Sequence, residues 1–293
     1  MRTTFGDAER QAAVQLMRLA LSEDLGSAGD LTSQALMDAG ESGAVQIVCR
    51  APGVVAGLPI VDLVFAELDP HIGIRRLVED GTAVSRGDVV AELRGSVRSL
   101  LTGERTALNF LTHLSGVASL TQQYVAAVAG TSARIYDTRK TLPGWRVLQK
   151  YAVRAGGGAN HRMGLYDMVL IKDNHLAGWQ VAHPGGTVAE AVQAARQKVS
   201  PEVRIQVEVD TLAQLQEALQ APPDLVLLDN MPPTMLQEAV RLRNGVAPQV
   251  ELEASGGVSL STVAAIARAG VERISVGALT HSAVALDLAF DWA

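Results

Sequence analysis

Between Arg134 and His175 the chain gathers eight basic residues, Arg134, Arg139, Lys140, Arg146, Lys150, Arg154, Arg162 and Lys172, against three acids, Asp137, Asp167 and Asp173. The whole chain has a formal charge of −6, so this island sits on an otherwise acidic protein. Cations are costly to bury without counter-charges, and Arg forks onto a carboxylate or phosphate where Lys acts as a point charge. Arg139, Lys140, Arg162 and Lys172, with His161 nearby, therefore mark a site for a small polyanion, the alternative being a solvated basic face. Glu208 and Asp229 end otherwise apolar runs. They read either as counter-ions to the cations or as carboxylates facing developing positive charge, ribose hydroxyls or Mg²⁺, which takes oxygen ligands. A glycosidase also uses two carboxylates, but it has no need of the cation island.

Two glycine-bearing segments fit the same chemistry. Ser255-Gly256-Gly257 and, one strand–helix unit later, Val276-Gly277-Ala278 look like the anion cradles that β/α barrels place after their last strands. One Ser-Gly-Gly alone is as readily a plain turn; two on consecutive strand ends favour phosphate. Gly156-Gly157-Gly158 reads equally well as a cradle or as a flexible turn presenting Asn160, His161 and Arg162. Other chemistries find no support: there is no P-loop and no Gly-x-Ser-x-Gly elbow. His161 and His175 lie 14 apart, without zinc spacing.

The elements that must hold these residues change in texture along the chain. The first third has apolar Ala13, Leu16, Met17, Leu19 and Ala20 at helical spacing, then strand-like runs at Ala44–Cys49, Ile72–Val78 and Val89–Leu93. Its turn-rich stretch Glu79–Val90 resembles a hammerhead or biotinyl-type fold. A carrier role fails because the first lysine is Lys140, which leaves a structural or substrate-covering role. From Thr102, a candidate N-cap, to about Ala129 the pattern predicts a long helix, or a helix pair broken at Gly116. Thereafter short β-branched runs alternate with Ala-rich amphipathic stretches. Strands are expected at Arg134–Tyr136, Met168–Ile171, Val203–Val209, Leu225–Leu228, Gln249–Leu252 and Arg273–Val276, with helices at Val188–Lys198, Leu212–Leu219, Thr234–Arg243 and Leu260–Ala269. The later strand ends, Glu208, Asp229, Glu253 and Gly277, recur 21 to 24 residues apart. In a parallel β/α barrel those ends share one rim. The chain supports six or seven such strands, an incomplete barrel.

Composition narrows the setting. With 48% hydrophobic and 19% charged residues the chain is globular, and its net charge argues against general nucleic-acid binding. The one cysteine, Cys49, suits a small buried hydrophobe and a reducing, cytoplasmic environment. Met1–Leu21 carries Asp7, Glu9, Arg10 and Arg18 through its apolar pattern, unlike a signal peptide, and no stretch is apolar enough to span a membrane.

Several longer motifs carry a resemblance. Asp137-Thr-Arg-Lys-Thr-Leu-Pro-Gly, Lys150-Tyr-Ala-Val-Arg-Ala-Gly-Gly-Gly-Ala-Asn-His-Arg-Met-Gly-Leu and Leu170-Ile-Lys-Asp-Asn-His resemble the quinolinate phosphoribosyltransferase family. Leu101-Thr-Gly-Glu-Arg-Thr, Val207-Glu-Val-Asp, Leu228-Asp-Asn, Glu253-Ala-Ser-Gly-Gly and Val276-Gly-Ala-Leu-Thr-His-Ser extend the likeness over nearly the whole chain, in order. The resemblance implies an α/β fold with an N-terminal α/β hammerhead-like domain, residues 1–115, and an incomplete, open parallel β/α barrel, residues 116–293. Residues 280–293 are expected to pack back on the first domain.

It also implies transfer of phosphoribosyl from phosphoribosyl pyrophosphate to quinolinate with Mg²⁺, giving nicotinate mononucleotide, pyrophosphate and CO₂ in NAD biosynthesis. The implied assembly is a homodimer with shared active sites. Carried over by residue, Arg139, His161, Arg162 and Lys172 surround the dicarboxylate, with Thr138 among the substrate-binding positions, and Lys140 approaches the phosphoribosyl donor. Glu208 and Asp229 face the ribose and metal. Ser255, Gly256, Gly257, Val276, Gly277, Ala278 and His281 hold the phosphate, and Arg105, expected in the first turn of the long helix, enters the partner's site. Lys140, Lys172, Glu208 and Asp229 form the catalytic set. Related molybdenum-transport homologues share the Thr-Arg-Lys and Gly-Gly-Gly motifs, but Lys172-Asp-Asn-His favours quinolinate. A nicotinate phosphoribosyltransferase would need one carboxylate satisfied and ATP coupling. A non-catalytic anion-binding protein would not need Glu208 and Asp229 together.

Overall fold

The computed structural model describes residues 4–293, so Met1–Thr3, the start of the segment read as lacking a leader, lies outside the described residues. The chain forms two compact units, each assembled from more than one stretch. One takes residues up to Gln122, Lys140–Gly158 and Leu279–Ala293; the other takes Gln123–Arg139 and Ala159–Ala278.

In the first unit, helix Asp7–Leu25 buries Ala13, Met17 and Leu21, four residues apart on one stripe. Strands β1 (Ser42–Cys49), β2 (Gly53–Val54), β3 (Gly73–Arg76), β4 (Ala83–Val84) and β5 (Val89–Ser96) follow, with helix Leu58–Leu68 between β2 and β3. An antiparallel sheet runs in the order Leu288–Trp292, β1, β5, β3, while β2 pairs with β4. The chain's last strand thus lies along its first, with Phe290 stacked on Phe65. Cys49 is fully buried at the end of β1, where burial and the Asp88 charge push its thiol up to about 11, an inert hydrophobe as expected.

The long helix corrects two expectations and decides a third. It runs unbroken over Val97–Ala127, so Thr102 is not its N-cap; the Thr102 hydroxyl instead donates to Asp30 at 3.1 Å. Arg105 is then in the helix's third turn and exposed, not at a helix N-terminus. Gly116 does not break the helix. It admits the Val284 carbonyl, which a Cβ there would overlap. Gly116→Ala is therefore expected to destabilise the fold by about 1–3 kcal/mol, as overpacking commonly does, read as a lowered midpoint of thermal or urea unfolding.

Glycines 156–158 resolve between their two readings in the same way. They follow helix Arg146–Ala155, which the sequence patterns did not single out. A Cβ on Gly156 would overlap the Ala118 carbonyl, and one on Gly158 would lie 2.8 Å from Thr121 Cγ2. They form a packed turn.

The second unit holds six parallel strands, β6 (Arg134–Tyr136), β7 (Val169–Ile171), β8 (Ile205–Val209), β9 (Leu225–Asp229), β10 (Glu251–Ser255) and β11 (Arg273–Ser275), in the order β6-β11-β10-β9-β8-β7. Beyond the edge of β6, Ala159 makes one further parallel bridge to Tyr136. Helices Val188–Lys198 and Leu212–Ala218 begin at capping boxes, Thr187 with Glu190 and Thr211 with Gln214. Ile135, Ile171, Val207, Val209, Val226, Leu228, Leu252, Ala254 and Ile274, the apolar residues of these strands' alternate positions, are all buried.

Candidate active site

The opposite face of this sheet is polar. Adjacent strands align Leu170 with Gln206, Glu208 with Leu227, Leu227 with Glu253, Asp229 with Ser255, Glu253 with Arg273 and Ser275 with Tyr136. Side chains alternate along a strand, so Gln206, Glu208, Asp229, Glu253, Ser255, Arg273 and Tyr136 share one face. Contacts bear this out. Arg273 Nε donates to Glu253 Oε2 at 2.9 Å, and its guanidinium lies 3.7 Å over the Tyr136 ring. Gln206 and Glu253 have no solvent exposure, although each sits in a strand otherwise read as apolar. Burial alone would raise the Glu253 pKa; the contacts from His161 and Arg273 outweigh it and hold this carboxyl low.

The segment after the glycine turn is clamped over that face. Ala159 donates to Ile135 O at 2.8 Å, and the buried Asp137 carboxylate takes the His161 N–H at 2.8 Å and the Asn160 amide at 2.6 Å. His161 reaches across to β8 and β10, with Nε2 3.0 Å from Gln206 Oε1 and 3.3 Å from Glu253 Oε1. Its Nδ1 accepts the Arg162 N–H at 2.8 Å. Both ring nitrogens are thus engaged within the protein.

Arg162 is half-buried and donates to Met168 O at 3.1 Å. Burial, and then the neighbouring Arg139 charge, push its pKa down. An anion bound beside the two guanidiniums would relieve that repulsion. Lys172, just past β7, places Nζ 2.7 Å from Glu208 Oε2. Of the two readings of Glu208, the counter-ion is the one seen here.

At the next strand end, Asp229 accepts from Asn230 Nδ2 at 2.7 Å, and Asn230 N–H donates to Ser255 O at 2.8 Å. Asn230 holds a left-handed φ of 53°, tolerable for Asn but uncommon. Gly256 and Gly257 are also left-handed, and a Cβ on Gly256 would overlap the Asn230 amide. The carboxylate strand end and the Ser-Gly-Gly loop are therefore one packed unit. Helix Val263–Arg268 starts only after an intervening turn, three residues later than the expected Leu260, so its N-terminus does not follow this loop directly. In the second glycine segment, the Val276 N–H donates to Tyr136 O at 2.9 Å, and Ala278 opens the short helix Ala278–His281.

Arg105, Lys140 and His281 belong to the other compact unit. Lys140 is exposed and its carbonyl accepts from Thr280 Oγ1 at 2.8 Å; His281 Nδ1 lies 2.6 Å from Ser282 Oγ. Thr138 and Arg139 are half-buried after β6. Gln206, Glu253, Arg273, Asp137 and Asn230 escaped the sequence reading as site residues. A period-two signal was present in Gln206/Glu208, Glu251/Glu253/Ser255 and Arg273/Ser275.

Comparison with known proteins agrees with this arrangement. The quinolinate phosphoribosyl transferase C-terminal domain family matches residues 117–291, and the N-terminal domain family matches residues 30–115. The chain is 48% identical over 287 residues to the nicotinate-nucleotide pyrophosphorylase [carboxylating] of Mycobacterium leprae, covering 97% of this chain and 99% of that one. It is 38% identical over 291 residues to the mitochondrial quinolinate phosphoribosyltransferase [decarboxylating] 2a of Nicotiana tabacum, covering 93% and 80%. The solved nicotinate-nucleotide pyrophosphorylase of Francisella tularensis superposes with a TM-score of 0.89 at 38% identity, covering 97% and 96%. With motifs, fold and site in agreement, the chain belongs to the quinolinate phosphoribosyltransferase family.

Proposed function

We infer that this enzyme transfers phosphoribosyl from phosphoribosyl pyrophosphate to quinolinate with loss of CO₂, forming nicotinate mononucleotide for NAD biosynthesis. The observation that carries this reading is the half-buried Arg139–Arg162 pair beside a row of strand-end carboxylates. Two forked cations match a dicarboxylate, and carboxylates at Glu208 and Asp229 match a ribose C1 that turns cationic as pyrophosphate departs. The quinolinate nitrogen attacks C1 as the C1–O bond to pyrophosphate breaks. In the quaternised ring the C2–carboxylate bond then breaks, the electron pair stays on C2 beside the cationic nitrogen, and a proton replaces CO₂. This second step needs positioning by Arg139, Arg162 and Lys172 more than a dedicated acid or base.

Glu208 and Asp229 are hard oxygen donors on adjacent strands. Among the described residues no group of three or more His, Cys, Asp or Glu gathers around a point. That donor set fits Mg²⁺ held by one or two carboxylates and by substrate phosphates. When bound, the ion would supply neutralisation of the leaving pyrophosphate. Lys140, next to Arg139, serves the donor, and the loops at Ser255–Gly257 and Gly277–Ala278, with His281, serve its 5′-phosphate. The family likeness also supports a cytoplasmic enzyme. No helix among the described residues is long and apolar enough to cross a membrane.

The direct test is to incubate the purified protein with quinolinate, donor and Mg²⁺ and follow CO₂ and nicotinate mononucleotide together; neither product appearing would end this reading. The family also supports a homodimer in which Arg105, exposed on its helix, acts in the partner's site. Mixing inactive Arg105→Ala with inactive Lys172→Ala should then restore activity, approaching half of wild type per mixed dimer, because one site regains both residues. No recovery despite demonstrated subunit exchange would place Arg105 in its own subunit's site.

A further inference from the structure

We propose that Glu253 is a positioning residue for the transfer reaction: with Gln206 it locks His161 as the Nε2–H tautomer, so that Nδ1 grips the Arg162 backbone and aims its guanidinium at the anionic substrate. The substrate's identity rests on the quinolinate reading; the tautomer does not.

The hydrogen bonds define the tautomer. A ring nitrogen that accepts the Arg162 N–H carries no proton, so the one proton of a neutral imidazole sits on Nε2. That proton is taken by Gln206 Oε1 at 3.0 Å, and the buried Glu253 Oε1, 3.3 Å from the same nitrogen but outside hydrogen-bond geometry, favours a proton there by its charge. The reverse tautomer would set an Nδ1–H against a backbone N–H. It would also leave the Gln206 oxygen with no proton from the ring and the Glu253 carboxylate facing a lone pair. Glu253 cannot swing away, because Arg273 holds its other oxygen and is itself laid over Tyr136.

A line of contacts thus runs from Tyr136 on β6 through Arg273 on β11 and Glu253 on β10 to His161, and from there to Arg162. The same segment is pinned from its other side by Asp137. Burying a carboxylate–guanidinium pair brings little net stability compared with apolar residues of the same shape, whereas fixing an orientation needs its directed acceptors. The dicarboxylate is then met by the arginines, and His161 sets where one of them stands.

The test uses the whole enzyme labelled with ¹⁵N-histidine, the His161 signals being assigned by their loss in His161→Asn. Long-range ¹H–¹⁵N correlation of the unliganded wild type should show a pyridine-type Nδ1 and a pyrrole-type Nε2; an Nδ1-protonated or doubly protonated ring would overturn the proposal. In Glu253→Gln the new amide must face either Arg273 or His161 with a donor, so the single tautomer should be lost. The KM for quinolinate should rise on the order of tenfold or more, as for outer partners of functional histidines, with the donor KM unchanged. A wild-type quinolinate KM in a folded Glu253→Gln enzyme would also overturn it. Should that variant not fold, Gln206→Leu removes an acceptor without touching the ion pair and is judged by the same two readouts. A wild type that shows the Nε2–H tautomer but turns over no quinolinate would instead overturn the substrate reading alone.

Discussion

Lys172→Ala is expected to lower turnover by about a hundredfold or more while leaving the protein folded. The lysine lies just past the end of β7 with its side chain 43% exposed, so its loss opens no core cavity. Removing a charge positioned at a transition state commonly costs about 3 kcal/mol of barrier, which is that factor in rate. The Glu208 pairing sharpens the test. If Lys172 serves only to hold Glu208, then Lys172→Ala and Glu208→Gln should be no worse together than the more damaging of the two alone; if each touches substrate, their effects should compound. Steady-state kinetics on the two single variants and the double variant, with unfolding midpoints as a control, settle the point. Lys140→Ala should lose activity comparably, since its side chain is exposed and its loss opens no core cavity. Wild-type-like activity in both lysine variants would remove them from the mechanism.

Arg162→Met should weaken quinolinate binding strongly, on the order of a hundredfold, and leave donor binding close to wild type. A charged group that meets a substrate carboxylate in a partly dry site is worth about 2–5 kcal/mol when truncated. The same change relieves repulsion from Arg139, because the folded state already disfavours the charged Arg162. The variant should therefore unfold at the same or a higher temperature than wild type. Quinolinate, by neutralising the pair, should raise the wild-type midpoint more than nicotinate does. Nicotinate, with one carboxylate, should be a poor substrate; equal turnover of the two acids would contradict a site built around both arginines.

Much of the scaffold could be read from residue pattern because burial imposes it. The six parallel strands fall within three residues of their expected bounds, since strands under helices must be apolar on at least one face. What escaped was the inner part of the other face. Gln206 stands between Ile205 and Val207 and Glu253 between Leu252 and Ala254, and their shared service to His161 depends on register between strands, which no single strand encodes. Gly116 left a whole and a broken helix open, and Gly156 a cradle and a flexible turn, because glycine's absent side chain is explained only by what approaches it, and here those neighbours are Val284 and Ala118. The start of the long helix was misplaced by five residues because Thr102, a good capping type, uses its hydroxyl on Asp30 instead. Helix Arg146–Ala155 was hidden by the very charges that drew attention to it as part of the cation island.

The pairing of Leu288–Trp292 with β1 bears on how the protein is made. The first strand of the antiparallel sheet can complete its neighbours only after residue 292 has left the ribosome. Until then the backbone groups of β1 that will bond Leu288–Trp292 lack their partners, and an open strand edge is a template for wrong pairing. The parallel strands, contained within residues 134–275, have no such wait. Synthesis should therefore leave the N-terminal unit as the last part to close. Stalled or C-terminally clipped chains would then carry a finished sheet of six strands beside an exposed edge, the species most prone to aggregate.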